Sequence, residues 1–173
     1  MTKGVVMLNT GNGKGKTTAA IGTLVRAPGH GMRVRMFQFI KTQGFRSGEH
    51  LVSERVGIPI ETLGDGCTIN KTETTLSRQL ACEQWERAKT SILSGNEDVI
   101  GLDEITFPIR FGWIPVQEVI DTLKKRPAAL HVVITGRDAP QELVEHADMV
   151  MEMQSVKHHY QDQGVNAQPG IEF

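Results

Sequence analysis

Asn9-Thr10-Gly11-Asn12-Gly13-Lys14-Gly15-Lys16-Thr17-Thr18 is the stretch on which the reading of this chain turns. Before it stands Val5-Val6-Met7-Leu8, a continuously apolar run that reads as a buried strand. After it, Lys16 to Arg26 reads as a helix with Ala19, Ala20, Thr23 and Leu24 available to one face, stopped by Pro28-Gly29. A glycine- and lysine-rich turn between a strand and a helix reads here as a phosphate loop rather than as an ordinary Gly/Lys-rich turn. Glycines let backbone N–H groups converge on phosphate oxygens, and the helix start adds partial positive charge. Lys16 is placed to reach the outer phosphates, and the Thr17 hydroxyl to meet Mg²⁺. The spacing departs from the common form in one place: Thr10 holds the position of the first glycine, which comes one residue later as Gly11.

Outward from the loop, strand-length apolar runs alternate with stretches of helical period. Val34 to Ile40, Ile58 to Leu63, Val99 to Leu102, Leu130 to Ile134 and Met149 to Met153 read as strands. Gly48 to Val56, Thr72 to Leu93 (capped by Thr72), a helix opened by Pro115 and running to Arg126-Pro127, and Glu142 to Ala147 read as helices. Residues 157–173 are polar and aperiodic, a closing tail on a single domain spanning 1–173. Such alternation predicts an α/β fold with a mostly parallel sheet flanked by helices on both faces. With the phosphate loop, this is a P-loop NTPase fold of the RecA-like kind. The strand Val99-Ile100-Gly101-Leu102 ends in Asp103-Glu104, the place where phosphate-loop proteins hold the metal or its water.

Composition narrows the partners. The 173 residues allow about 70 % of the unfolded chain's surface to be buried, enough for a core without staples. Nineteen Lys and Arg against 20 Asp and Glu leave a net charge of -1, which gives no electrostatic case for duplex nucleic acid or an anionic membrane. Two cysteines, Cys67 and Cys82, make neither a disulfide framework nor a four-thiolate metal site. No apolar run has the length of a signal or a membrane span, so a cytoplasmic protein is expected.

The loop Thr10 to Ala20, Gln38-Phe39-Ile40-Lys41, Leu102-Asp103-Glu104, Thr135-Gly136-Arg137-Asp138-Ala139-Pro140 and the ending Gly170-Ile171-Glu172-Phe173 together resemble the ATP:corrinoid adenosyltransferases of the phosphate-loop class. Arg26 with Gly29-His30-Gly31, and Arg126-Pro127, fit the same pattern, and the resemblance runs over essentially the whole chain. It implies transfer of the 5′-deoxyadenosyl group of ATP to the cobalt(I) of a reduced corrinoid, with release of triphosphate. The nucleotide is then bound in the reverse sense relative to kinases. By this resemblance Gly11, Asn12, Gly13, Lys14, Gly15, Lys16, Thr17 and Thr18 bind the triphosphate, with Arg26 as a further nucleotide contact. Lys14 and Lys16 stabilise the departing charge, Thr17 and Glu104 are the Mg²⁺ ligands, and no general base is needed. A flavoprotein reductase as electron donor and a homodimer are implied in the same way.

In longer members of that family, an aromatic pair in the loop after the third strand helps exclude the lower cobalt ligand. Gly64-Asp65-Gly66-Cys67-Thr68-Ile69 has no aromatic and looks like the shorter members, which carry a Cys there. Longer members also have an N-terminal helical extension, whereas this chain starts almost at the first strand. Phe107, Phe111 and Trp113 are candidates for the corrinoid face, with core packing expected for at least one. His158-His159 is not expected to bind one ion, because neighbours on an extended chain point apart. Two other readings of the phosphate loop stay open: a small-molecule kinase, against which the chain shows no Arg-rich lid, and a regulator that binds ATP or corrinoid without turnover.

Overall fold

The computed structural model describes residues 3–42, 44, 46–66 and 75–172. Six strands form one sheet: β1 (Val6–Thr10), β2 (Val34–Gln38), β3 (Ile60–Thr62), β4 (Val99–Asp103), β5 (His131–Thr135) and β6 (Met149–Glu152), in the order β3-β2-β4-β5-β1-β6. Every pairing is parallel. The helices are α1 (Lys16–Arg26), α2 (Gly48–Val56), α3 (Thr75–Ser94), α4 (Thr106–Arg110), α5 (Val116–Lys125), α6 (Gln141–His146) and α7 (His159–Gln163).

The period of two along each strand sorts the core onto two faces. Val34 and Met36 of β2, Val99 of β4 and Val133 of β5 pack with Ala20 and Leu24 of α1. Phe37, Ile100, Leu102, Val132 and Ile134 point the other way, into a larger core with Trp85, Ala88 and Ile92 of α3 and Val119, Ile120 and Leu123 of α5. Trp85 is core, its indole N–H donating to Glu118 Oε1 at 3.0 Å. Arg126, just beyond α5, donates to the carbonyls of Leu123, Leu130 and Gly4, so the basic end of that helix caps its own C-terminus and ties it to the start of β1.

Three readings are corrected. α4 follows Glu104 where the sequence suggested no element; its residues 106–109 are all buried, and Pro108 falls in its first turn, where a missing N–H costs nothing. The tail contains α7, and its N-cap His158 accepts the Tyr160 N–H at 3.2 Å. His158 and His159 do not point apart: their rings stack with centroids 4.9 Å apart, because the chain turns into a helix between them. Cys67 and the proposed cap Thr72 lie outside the described residues, and α3 is described from Thr75.

Leu102 is fully buried at the centre of the sheet. Leu102→Ala is expected to lower stability by about 3 kcal/mol through lost burial and a residual cavity, read as a fall in the urea midpoint at unchanged slope.

Candidate active site

Parallel strands bring their C-terminal ends to one edge, and four of them carry a buried polar residue there: Asn9, next to last on β1, and the last residues Gln38 on β2, Asp103 on β4 and Thr135 on β5. Register sets them side by side, with Asn9 opposite Thr135 and Gln38 opposite Asp103. Buried polar groups must be hydrogen-bonded, so this row has to be met by neighbours. Asn9 Nδ2 donates to the Lys16 carbonyl at 3.3 Å, fastening the start of α1 to β1. Asp103, 1 % exposed, accepts from three donors. Thr17 Oγ1 (2.8 Å) and Thr135 Oγ1 (2.7 Å) donate to its Oδ1, and Gln38 Nε2 (3.1 Å) to its Oδ2. Thr135 Oγ1 also accepts the Glu104 N–H at 3.0 Å.

Above this row lies the loop. Gly11 takes φ +93°, and a Cβ there would stand 2.5 Å from the Met153 carbonyl oxygen, so the position needs glycine twice over. Thr10, at the motif's usual glycine position, does other work: its hydroxyl accepts the Ala139 N–H at 3.4 Å and its carbonyl the Met153 N–H at 2.8 Å, so it joins the loop to the ends of β5 and β6. Gly15 takes φ +106° immediately before α1, which turns the chain from loop to helix. Lys16 is only 5 % exposed, and its ammonium donates to the carbonyls of Gly11 (2.8 Å) and Gly13 (2.7 Å). Burial depresses its pKa, and Arg137 adds to the depression; Glu104 and Asp103 oppose it.

A cavity of about 210 Å³ opens over the loop, lined by Gly13 to Thr18, Glu104, Arg137, Ile171 and Glu172. The larger groove, about 620 Å³ between α3 and the β2–β3 edge, shares none of these residues. The smaller cavity is the one with converging cations and backbone donors. Lys14 forms an ion pair with Glu172 from the tail, whose Oε1 is also 3.0 Å from His159 Nε2. The Lys14 contact is the main reason the Glu172 carboxyl lies below its ordinary range. Glu104 stands at φ +61°, uncommon for a residue with a side chain, and burial followed by the charge of Asp103 raises its pKa.

Of the residues singled out from the sequence, 13–18 and Glu104 line one cavity; Gly11 and Asn12 do not line it, and Gly11 joins the site through its carbonyl, which accepts from the Lys16 ammonium. Arg26 lies apart: it is exposed at the far end of α1, and a rise of 1.5 Å per residue from Lys16 sets it about 15 Å along the helix from the loop. The sequence does not single out Arg137 and Thr135 as site residues; Thr135 ends β5 and Arg137 follows two residues later, which brings both to the site. Phe107 and Trp113 are core residues, and Phe111 is 41 % exposed, with the Arg110 guanidinium 5.5 Å from its ring centre.

A Lys-bearing glycine loop opening a helix, a buried Asp on a neighbouring strand that takes the loop's Thr hydroxyl, and a parallel sheet beneath them define a phosphate-loop α/β protein. In fold, the chain is similar to the flagellar accessory protein FlaH from Methanocaldococcus jannaschii, with a TM-score of 0.52 and 12 % identity over 87 % of this chain and 71 % of that one. The sequence profile of the ATP:corrinoid adenosyltransferase family BtuR/CobO/CobP matches residues 2–173, and the chain belongs to that family. Among its relatives, the corrinoid adenosyltransferase of Escherichia coli (strain K12) is 40 % identical over 172 residues, 99 % of this chain and 86 % of the relative. Corrinoid adenosyltransferase CobA of Salmonella typhimurium is 37 % identical over 171 residues, with the same shares covered.

The raised pKa of Glu104 carries a sign. Between the ordinary carboxylate value and the raised one, the folded state holds a proton that the unfolded state has released, so stability falls as pH rises through that window. Glu104→Gln, which removes the buried charge, is therefore expected to melt higher than the wild type at pH 7 without ligand. The difference should shrink toward pH 4, as measured by thermal melts across that range.

Proposed function

We propose that this chain transfers the 5′-deoxyadenosyl group of ATP to the cobalt(I) of a reduced corrinoid, releasing triphosphate, in the biosynthesis or salvage of adenosylcobalamin. The cobalt(I) electron pair forms a bond to ribose C5′, the C5′–O5′ bond breaks, and its electrons leave on the triphosphate. Cobalt is formally oxidised to cobalt(III), and no proton need move. Besides family membership, one observation carries the reading: Lys14, Lys16 and Arg137 converge on a single cavity with the loop N–H groups. That array suits a whole triphosphate departing as a unit. The remaining task is to hold C5′ against cobalt, and positioning of that kind supplies much of such a rate.

In this reading Gly11 to Thr18 bind the triphosphate. Lys14 leaves Glu172 for phosphate, while Lys16 exchanges its loop carbonyls for phosphate oxygens. Thr17 and Glu104 hold Mg²⁺, and Asp103 orients the Thr17 hydroxyl. The donor set fits: the Thr17 proton is committed to Asp103, which leaves the oxygen's lone pairs free, and the Glu104 carboxylate faces the same cavity. Among the described residues no three His, Cys, Asp or Glu side chains converge, so phosphate oxygens and water would complete the shell, as Mg²⁺ favours. When bound, the ion neutralises part of the leaving charge.

The domain is taken as one unit over 1–173, with 157–173 as the element that closes over the loop through Glu172. Phe111 is the candidate for contact with the corrinoid. A flavoprotein reductase delivering electrons, assembly as a homodimer and a cytoplasmic location belong to the same proposal. No helix among the described residues is long and apolar enough to cross a membrane.

Incubation with ATP, Mg²⁺ and chemically reduced corrinoid should yield inorganic triphosphate and a photolabile cobalt–carbon bond. ADP with a phosphorylated acceptor would replace this reading by a kinase, and binding without product by a regulator. Lys16→Ala should lower the rate at least about a hundredfold, in line with removal of a preorganised charge from a leaving-group site. Near-normal turnover in that variant would refute the loop assignment.

A further inference from the structure

The buried Asp103 is the end of a longer chain of hydrogen bonds that begins on α2. Ser47, at the N-terminus of that helix, directs its backbone N–H at His50 Nδ1 (3.3 Å), and its hydroxyl lies 2.9 Å from the same nitrogen. His50 Nε2 is 3.0 Å from Thr62 Oγ1 at the end of β3. Thr62 Oγ1 donates to Gln38 Oε1 at 2.9 Å, and Gln38 Nε2 donates to Asp103 Oδ2 at 3.1 Å. Thr17 Oγ1 meets the other oxygen of the same carboxylate.

Both ends impose a direction. A backbone N–H only donates, so His50 Nδ1 is the acceptor and the ring proton is on Nε2. An ionised carboxylate only accepts, so the Gln38 amide turns its NH₂ toward Asp103 and its oxygen toward Thr62. Between them Thr62 accepts from His50 and donates to Gln38. A hydroxyl by itself reads equally well in either direction, and the His50 N–H removes that freedom. Burial is the main cause holding the His50 ring below its ordinary pKa, which keeps it in the neutral form this arrangement needs.

We propose that His50, Thr62 and Gln38 form a one-way hydrogen-bond relay that positions Asp103, and through it the Thr17 hydroxyl, for the nucleotide and its cation. The inference rests on the reading of Thr17 and Glu104 given above and adds residues to it that never touch substrate. Gln38 supplies the hydrogen bond to Oδ2, with the Lys41 ammonium farther off at 4.0 Å, and so fixes the carboxylate's rotation and keeps Oδ1 available to Thr17 and Thr135. Without the relay, the Gln38 amide is free to turn, and its oxygen would then face the carboxylate. Thr17 would lose the fixed partner that keeps its lone pairs aimed at the cavity. Partners that orient a ligand from outside the immediate shell commonly change metal affinity by about 10- to 100-fold when removed. His50 and Thr62 are thus positioning residues on elements that carry none of the loop.

The test is calorimetric titration of Mg·ATP, without corrinoid, into the full chain carrying Thr62→Val, His50→Phe, both together, Thr62→Ser or His50→Gln, with thermal melts alongside. Thr62→Val keeps the shape and the strand preference while removing the hydroxyl. It and His50→Phe should each weaken binding by about tenfold, and the double variant no further than the worse single one. Thr62→Ser and His50→Gln, which keep the donors, should restore affinity. ATP titrated without Mg²⁺ should be much less affected, a split that a general loss of structure would not produce. Nitrogen-15 spectra of the wild type should show His50 neutral and protonated on Nε2 at pH 7. Wild-type affinity in Thr62→Val, losses that multiply in the double variant, or a His50 protonated on Nδ1 would overturn the relay. A wild type that binds Mg·ATP yet forms no cobalt–carbon bond would instead overturn the adenosyl-transfer reading and leave the relay intact.

Discussion

A carboxylate removed from water must find donors inside the protein, and much of this site is arranged around how Asp103 finds them. Its partners come from α1 (Thr17), β2 (Gln38) and β5 (Thr135), so one buried side chain ties together the helix that opens after the loop and the strands on either side of β4. The cost of leaving such a group unpaired, several kcal/mol, is what gives the arrangement its rigidity. That rigidity reaches the phosphate loop, because the hydroxyl that donates to Asp103 belongs to the residue immediately after the loop lysine.

The cationic side of the site shows the complementary constraint. Lys16 and Lys14 are both engaged by the protein's own oxygens, Lys16 by two loop carbonyls and Lys14 by the tail carboxylate of Glu172. Triphosphate oxygens would replace these partners rather than fill bare space, which keeps a buried ammonium satisfied in the meantime. Glu104 differs: its left-handed backbone and half-buried carboxyl concentrate strain at the cavity, as functional sites commonly do.

The loop was legible because its chemistry is local. Gly11 to Thr18 are consecutive, the helix they open begins at Lys16 as its apolar spacing indicates, and α2 runs from Gly48 to Val56 as read. The sequence reading ends β1, β4 and β5 one or two residues short at their C-termini, for an informative reason, and carries β2, β3 and β6 one or two residues too far. Asn9, Asp103 and Thr135 are polar, so an apolar run seems to stop before them, yet they continue the ladder and form the floor of the site. Helix α4 went unseen because five residues around a proline carry no period. Arg26 is a different case: it fits the family's sequence pattern and stands a helix-length from the loop.

The sequence by itself determined the phosphate loop and the parallel α/β architecture, because spacing and periodicity within a short window encode each of them, and its resemblance over the whole chain gave the kinship with corrinoid adenosyltransferases. Only the tertiary structure decided that Glu172, more than 150 residues downstream, pairs with Lys14, that Arg137 lines the same cavity, and that His50 reaches Asp103 through Thr62 and Gln38. These are meetings of strand ends and loops from distant parts of the chain. Their physical cause is the pairing of parallel strands, which gathers every C-terminal end at one edge whatever the distance along the sequence.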